Sequence, residues 1–283
     1  MMPMLRTILA PNPSPLTGPG TNTFLLGETD IAVIDPGPLI DSHLAAIIKA
    51  GAGRIRHILV THAHRDHSEA AAALSNATGA PISAFGTAEA GRSIIMQSLA
   101  EATGGGEGRD RDFTPDHNLR DGDRIEGEGW ALTAIHTPGH MGNHLSFLWG
   151  DTLICGDIIL GWSSTLISPP EGDLLDYFRS LDRIEALHPA RLLPAHGDPV
   201  DDPAARVAEL RAHRRQRSAQ ILGALTDGPA TAAALAQNIY DIPEQLLPAA
   251  TRNVLAHLIA MTELGVVAPE GSITADAKFA VAR

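Results

Sequence analysis

Short apolar runs and helical patterns alternate along the first two hundred residues, and most of the runs end in glycine, proline or a side chain able to ligate metal. Residues 31–34, 58–60 and 81–84 are apolar or β-branched and of strand length. Residues 41–50 and 68–78 read as helices, the second rich in alanine and opening on Ser68 as a cap. Residues 131–135, 152–155 and 191–195 are further buried strands. Residues 173–187 put Leu174, Leu175, Phe178, Leu181 and Ile184 on one face of an amphipathic helix. Strands alternating with helices predict an α/β fold.

Two regions depart from this rhythm. Residues 101–118 hold the glycine-rich stretch from Gly104 to Gly108 and the charged run from Arg109 to Asp112. No apolar strand leads in and no Gly-Lys-Ser/Thr follows, so it is not a phosphate cradle. We expect a mobile surface loop near a site entrance. After about Pro203 the composition shifts. Residues 205–226, 231–239 and 247–264 read as three helices, and residues 265–273 as a short hairpin. Three helices followed by a wing describe a winged-helix-like domain. The expected domains are residues 1–204 and 205–283.

The densest chemistry lies in residues 61–67, where His62, His64, Asp66 and His67 follow an apolar strand. Imidazole with carboxylate suits zinc and its first-row neighbours. On an extended chain His62 and His64 point to the same side. Asp66 and His67 fall where the chain turns into a helix and can face a second ion. His140, Asp157 and His196 each follow one of the later strands, at the sheet rim where α/β folds place their chemistry. The seven divide into His62, His64 and His140 for one metal and Asp66, His67 and His196 for the other, with Asp157 between.

These motifs resemble the metallo-β-lactamase superfamily: the HxHxDH run, Thr137-Pro138-Gly139-His140, Gly156-Asp157 and Pro194-Ala195-His196-Gly197. Residues 18–27, Ile34-Asp35-Pro36-Gly37 and residues 118–123 are similar to further segments of that family, so the likeness covers about residues 5–200. It implies an αββα sandwich binding two zinc ions, with manganese or iron as substitutes. A hydroxide bridging the metals would attack a carbonyl or phosphorus, with Asp157 as bridging ligand and Asp66 orienting the nucleophile and shuttling a proton. The C-terminal arrangement of three helices and a wing resembles that of the beta-lactamase-like protein 2 branch, and glyoxalase II also ends in a helical domain. Hydrolysis of small esters or thioesters is the leading reading, and single-strand RNA cleavage the alternative. His144 matches a position often His in glyoxalase II-like members and is a candidate behind a ligand or on the substrate side. His136, before the Thr-Pro-Gly-His turn, is a candidate to bond a ligand from behind.

The chain's net charge of −12 argues against loose nucleic-acid binding. Its one basic cluster, Arg206, Arg211, Arg214, Arg215 and Arg217, is expected to be a solvated helix face, with Arg211, Arg214 and Arg215 together. Arg252 is the one basic residue in residues 231–264, so the C-terminal domain is expected to serve packing or homodimer contact ahead of RNA. No apolar run reaches the length of a membrane span, and residues 1–7 lack the pattern of a secretory leader. The one cysteine, Cys155, is expected to be a buried core thiol in a reducing, cytoplasmic compartment.

Overall fold

The computed structural model describes residues 5–106 and 108–282. Residues 1–4, which carry part of the leader reading, Glu107 of the glycine-rich loop and Arg283 lie outside the described residues. Strands β1 (Leu5–Leu9), β2 (Asn22–Leu26), β3 (Ile31–Ile34), β4 (Ile55–Leu59), β5 (Ile82–Ala84) and β6 (His117–Asn118) form one sheet in that order. Helices α1 (Asp41–Gly51), α2 (Arg65–Ser68), α3 (Ala71–Thr78) and α4 (Ile94–Ser98) interrupt them. Strands β7 (Arg124–Gly127), β8 (Trp130–His136), β9 (Leu145–Trp149), β10 (Thr152–Gly156) and β11 (Arg191–Pro194) form the second sheet, in the order β11-β10-β9-β8-β7. Helix α5 (Leu174–Leu187) crosses between β10 and β11, which are parallel.

The twofold alternation of strand side chains explains the layers. Phe24, Leu26, Ala32, Ile34, Leu132 and Ala134 meet between the sheets. The residues between them, Leu25, Ile31 and Val33, face outward into a cluster with Ile47 of α1 and Leu74 of α3. On the other sheet Ile154 points inward, while Leu153 and Cys155 pack against Leu181 and Ile184 of α5. This is an αββα sandwich. Cys155 is buried, and burial pushes its thiol pKa up, as a core thiol requires.

The helix expected over residues 68–78 is two helices, and Ser68 caps neither. Gly37 explains the break. Its N–H donates to the His67 carbonyl at 3.1 Å and its carbonyl accepts from the Ala70 N–H at 3.0 Å, holding the intervening chain against the end of β3. The Ser68 hydroxyl instead donates to Asp110 at 2.7 Å and lies 3.0 Å from the His64 carbonyl. The glycine-rich loop is tied down at its far end: Arg65 donates to the Gly108 carbonyl and Asp110 to the Ala63 carbonyl, both at 2.9 Å. It borders the site as expected, but not as a free segment.

Helix α6 (Pro203–Ala224) starts on Pro203 with Asp202 as its cap. Its first half packs Val207 and Leu210 against α5. Its second half packs Ile221 against α7 (Ala232–Ile239) and α8 (Leu247–Glu263). Strands β12 (Ala230–Thr231), β13 (Val267–Pro269) and β14 (Lys278–Val281) complete a winged helix as a sheet of order β12-β14-β13. The wing therefore extends beyond residue 273, because β13 pairs with Lys278–Val281.

The arginine cluster is not a solvated face. Wedged between α5 and α8, α6 commits its arginines to neighbours. Arg211 pairs with Asp182 and Glu185. Arg206 bonds Glu209 and the Leu160 carbonyl, and Arg217 lies over the Tyr240 ring. Arg214 is only 1% exposed. Arg215 alone of the five is exposed.

Candidate metal centre

The seven expected residues come together at the strand ends. His62, His64, Asp66 and His67 follow β4, His140 follows β8, Asp157 follows β10 and His196 follows β11. His64 Nδ1 lies 2.9 Å from His62 Nε2 and 3.0 Å from His140 Nε2. Asp66 Oδ2 lies 3.4 Å from His67 Nε2 and 3.2 Å from His196 Nε2. Asp157 Oδ2 reaches both groups: it is 3.5 Å from His67, 3.3 Å from His196 and 3.7 Å from His140. Ligands about 2.0–2.1 Å from a tetrahedral ion are separated by about 3.3 Å, so these spacings suit metal better than any other shared partner.

The bonds behind the rings support the same fit. A metal-ligating imidazole commonly donates its other N–H to a fixed acceptor. His67 Nδ1 donates to Asp35 at 2.9 Å, His140 Nδ1 to the Leu166 carbonyl at 2.7 Å and His196 Nδ1 to the Gly20 carbonyl at 3.1 Å. His62 Nδ1 lies 3.0 Å from the Thr61 hydroxyl. The inward atoms His67 Nε2 and Asp157 Oδ1 are buried and have no hydrogen-bond partner among the described residues. Buried polar atoms are rarely left so. The site thus offers donors without acceptors for a cation to satisfy.

Its electrostatics divide in two. Burial, reinforced by neighbouring imidazoles, holds His62 well below the usual histidine pKa and His64 at about 3, and burial outweighs Asp157 and the Leu166 carbonyl to lower His140, so these three are neutral lone-pair donors. Burial also opposes charge on His67 and His196, but Asp66 and Asp157 outweigh it, raising His67 well above its usual value and His196 to about 10. Burial pushes the Asp66 and Asp157 carboxyls up, yet the facing imidazoles hold both well below the carboxylate range. The field that draws protons here is the field that draws cations.

His144 is fully buried and accepts the Asp157 backbone N–H at Nε2 (3.0 Å), while its Nδ1 lies 2.9 Å from the Thr137 hydroxyl. It stands behind Asp157, not on the open side of the site. His136 bonds none of the seven. Its Nε2 bonds the Gly142 carbonyl and its ring stacks on Phe85 at 4.0 Å, because the turn after β8 folds back over it.

Several contributors went unassigned in the sequence. Asp35, fully buried at the end of β3, accepts the Thr61 N–H and hydroxyl besides His67. An acid closing a buried strand before Pro-Gly was its signal. Thr165, whose hydroxyl lies 3.0 Å from His140 Nδ1, is held in turn by Arg214, which donates to the Thr165 carbonyl. Arg214 also donates to Asn253 at 3.2 Å, and Asn253 accepts the Ile167 N–H at 3.0 Å. Residues of α6 and α8 thereby clasp the segment that orients His140, a link of distant residues with no local signature.

A cavity of about 530 Å³ opens over His64, Asp66, His140, Asp157 and His196. The C-terminal domain forms part of its wall. Gln245, in the turn before α8, and Pro248, Ala249, Arg252 and Asn253, one stripe of its first turns, all line it.

Residues 16–196 match the Metallo-beta-lactamase superfamily and residues 231–276 the Beta-lactamase associated winged helix domain. The chain is 31% identical to a Beta-lactamase-like protein 2 homolog of Drosophila melanogaster, over 97% of this chain and 92% of that one. It is 28% identical to an atrochrysone carboxyl ACP thioesterase of Aspergillus chevalieri, over 80% of this chain and 67% of that one. Among solved structures, a metallo-beta-lactamase family protein from Thermus thermophilus superposes with a TM-score of 0.79 at 26% identity, covering 98% of both chains.

Proposed function

The chain belongs to the metallo-β-lactamase superfamily, and from that premise we propose that it is a dinuclear-metal hydrolase of ester or thioester substrates. His62, His64 and His140 would hold one ion and Asp66, His67 and His196 the other, with Asp157 shared. Two zinc ions suit the nitrogen and carboxylate set, and manganese or iron would also fit it. Bound there, the metals supply Lewis acidity and a water whose pKa falls from 15.7 to around 7.

The protein's own part is positioning. Asp66, held by the Thr21 hydroxyl at 3.3 Å, faces the cavity and can orient the attacking water. Asp157 is fixed from behind by His144.

The observation that carries the small-substrate reading is the direction in which α8 faces. In helix-turn-helix DNA readers the later helix enters the groove. Here the stripe of the third helix, α8, is turned into the cavity above the seven residues. RNA cleavage would also need arginines free for phosphate, and Arg211 and Arg214 are already engaged. The relative named as a thioesterase supports the same choice.

A parallel assay on acyl-thioesters and single-stranded RNA with metal-loaded protein tests the proposal. Thioester turnover is expected. RNA cleavage with a steep salt dependence, and no thioester turnover, would replace it with the endoribonuclease reading.

A further inference from the structure

The cavity has two unlike sides, one beside each half of the seven-residue cluster. On the His64 and His140 side the wall is polar. Arg109 stands opposite His64 in a short antiparallel pairing made by Arg65 with Gly108 and Asp110 with Ala63, and donates to Glu171 at 2.9 Å. Glu171 is only 5% exposed, lines the cavity beside Ser168, and keeps Oε2 unpartnered among the described residues.

On the Asp66 and His196 side large apolar side chains stand among the small hydroxyls of Ser14, Thr17, Ser163 and Ser164. Pro15, Leu16, Leu160 and Trp162 line that side. Gly161 donates to the His196 carbonyl at 2.9 Å, which puts Trp162 beside that histidine. The indole lies flat against two glycines: a Cβ on Gly18 or Gly197 would come within 2.8 or 2.9 Å of it. Both glycines have positive φ, so the slot is doubly reserved for them. Yet Trp162 remains 44% exposed and Leu16 54% exposed. Two large apolar side chains left wet on one cavity, one of them held in a shaped slot, mark a binding surface.

Resting on the hydrolase reading above, we propose that the substrate's acyl part is a medium-length aliphatic chain lying on Leu16 and Trp162. The polar, amide- and thiol-bearing leaving group then faces Ser168 and Glu171. A two- or three-carbon acyl group would leave Leu16 and Trp162 in water and most of the 530 Å³ unfilled. Trp162 is thus a specificity-determining residue.

The test uses acetyl, butanoyl, hexanoyl, octanoyl and decanoyl thioesters of N-acetylcysteamine with the metal-loaded full chain. Each methylene that reaches the wall should raise kcat/KM by about twofold to fourfold, so octanoyl should exceed acetyl by at least about fiftyfold. Trp162→Ala and, separately, Leu16→Ser should each cut that ratio, Trp162→Ala by about tenfold or more, with melting temperatures confirming that both fold. Calorimetric binding of octanoate against acetate gives a readout independent of turnover, with octanoate expected to bind at least about tenfold more tightly and to lose that advantage in Trp162→Ala. A flat chain-length series with turnover intact overturns the acyl-wall proposal and leaves the hydrolase standing. No turnover on any thioester, with octanoate still preferred through Trp162, sinks the thioester reading and keeps the apolar wall. Equal binding of the two carboxylates overturns the wall whatever the turnover.

Discussion

Replacing Arg214 by methionine separates what this buried cation does for the fold from what it does for the metal site. Arg214 lies 1% exposed between α6 and α8, with no carboxylate partner among the described residues, and burial lowers its pKa. It is compensated by the Thr165 carbonyl, Asn253 and the Tyr177 ring face, 5.3 Å away. Methionine has similar length and no charge. The Thr165 carbonyl would lose a charge-assisted bond worth about 1.5–3 kcal/mol. Removing a desolvated charge returns several kcal/mol of burial penalty, so the two changes offset and stability should move little. Metal affinity should move more. Thr165 and Leu166 hold His140 Nδ1, and loss of such a supporting partner weakens metal binding about tenfold to a hundredfold. Because Arg214 acts one bond further out, about tenfold is expected, confined to the ion proposed for His62, His64 and His140. Chelator competition, with elemental analysis at intermediate chelator, reads this as stoichiometry falling toward one ion while the other persists. Arg214→Lys, able to reach the same carbonyl, should recover part of the loss. A variant that melts earlier but binds both ions as tightly as the parent would refute the link from α6 to His140.

The same logic gives Asp35→Asn a larger effect at the other ion. The amide cannot accept all three bonds that Asp35 receives from Thr61 and His67, so binding of the ion proposed for Asp66, His67 and His196 should weaken by about tenfold to a hundredfold, and unchanged affinity in a metal titration would contradict that. His257 is buried, and burial together with Arg214 and Arg217 depresses its pKa to about 3. A folded-state pKa below the unfolded 6.5 means that stability is full above pH 6.5 and falls by about 1.4 kcal/mol per unit as pH drops toward 3. His257→Leu should therefore lose less melting temperature between pH 7 and pH 5 than the parent, and parallel curves would rule the assignment out.

What was legible in the sequence followed from local pattern. The strands expected at residues 31–34, 58–60, 81–84, 131–135, 152–155 and 191–195 stood out because each apolar run closed on Gly, Pro or a polar rim residue, whereas β1, β6, β7 and β9 had no such signature. The seven candidate ligands were legible for the same reason: a ligand at a strand end needs its neighbours to be apolar on one side and turn-forming on the other. Pairings between distant residues were not. The helix at residues 68–78 breaks because of Gly37, thirty residues earlier, and β14 at Lys278–Val281 is too short and mixed to announce itself before β13 pairs with it.

Arg214 shows most clearly why composition misleads at an interface. Five arginines on one helix read as a solvated face when α6 is considered alone, since nothing in residues 203–224 reports that α5 and α8 will enclose it. Once they do, a charge can remain there only if fixed acceptors meet it, and the acceptors available are the Thr165 carbonyl and Asn253. Those same groups hold the backbone that carries the Leu166 carbonyl to His140. Satisfying the buried arginine and orienting the histidine are thus one structural requirement, and that requirement joins the C-terminal domain to the metal site.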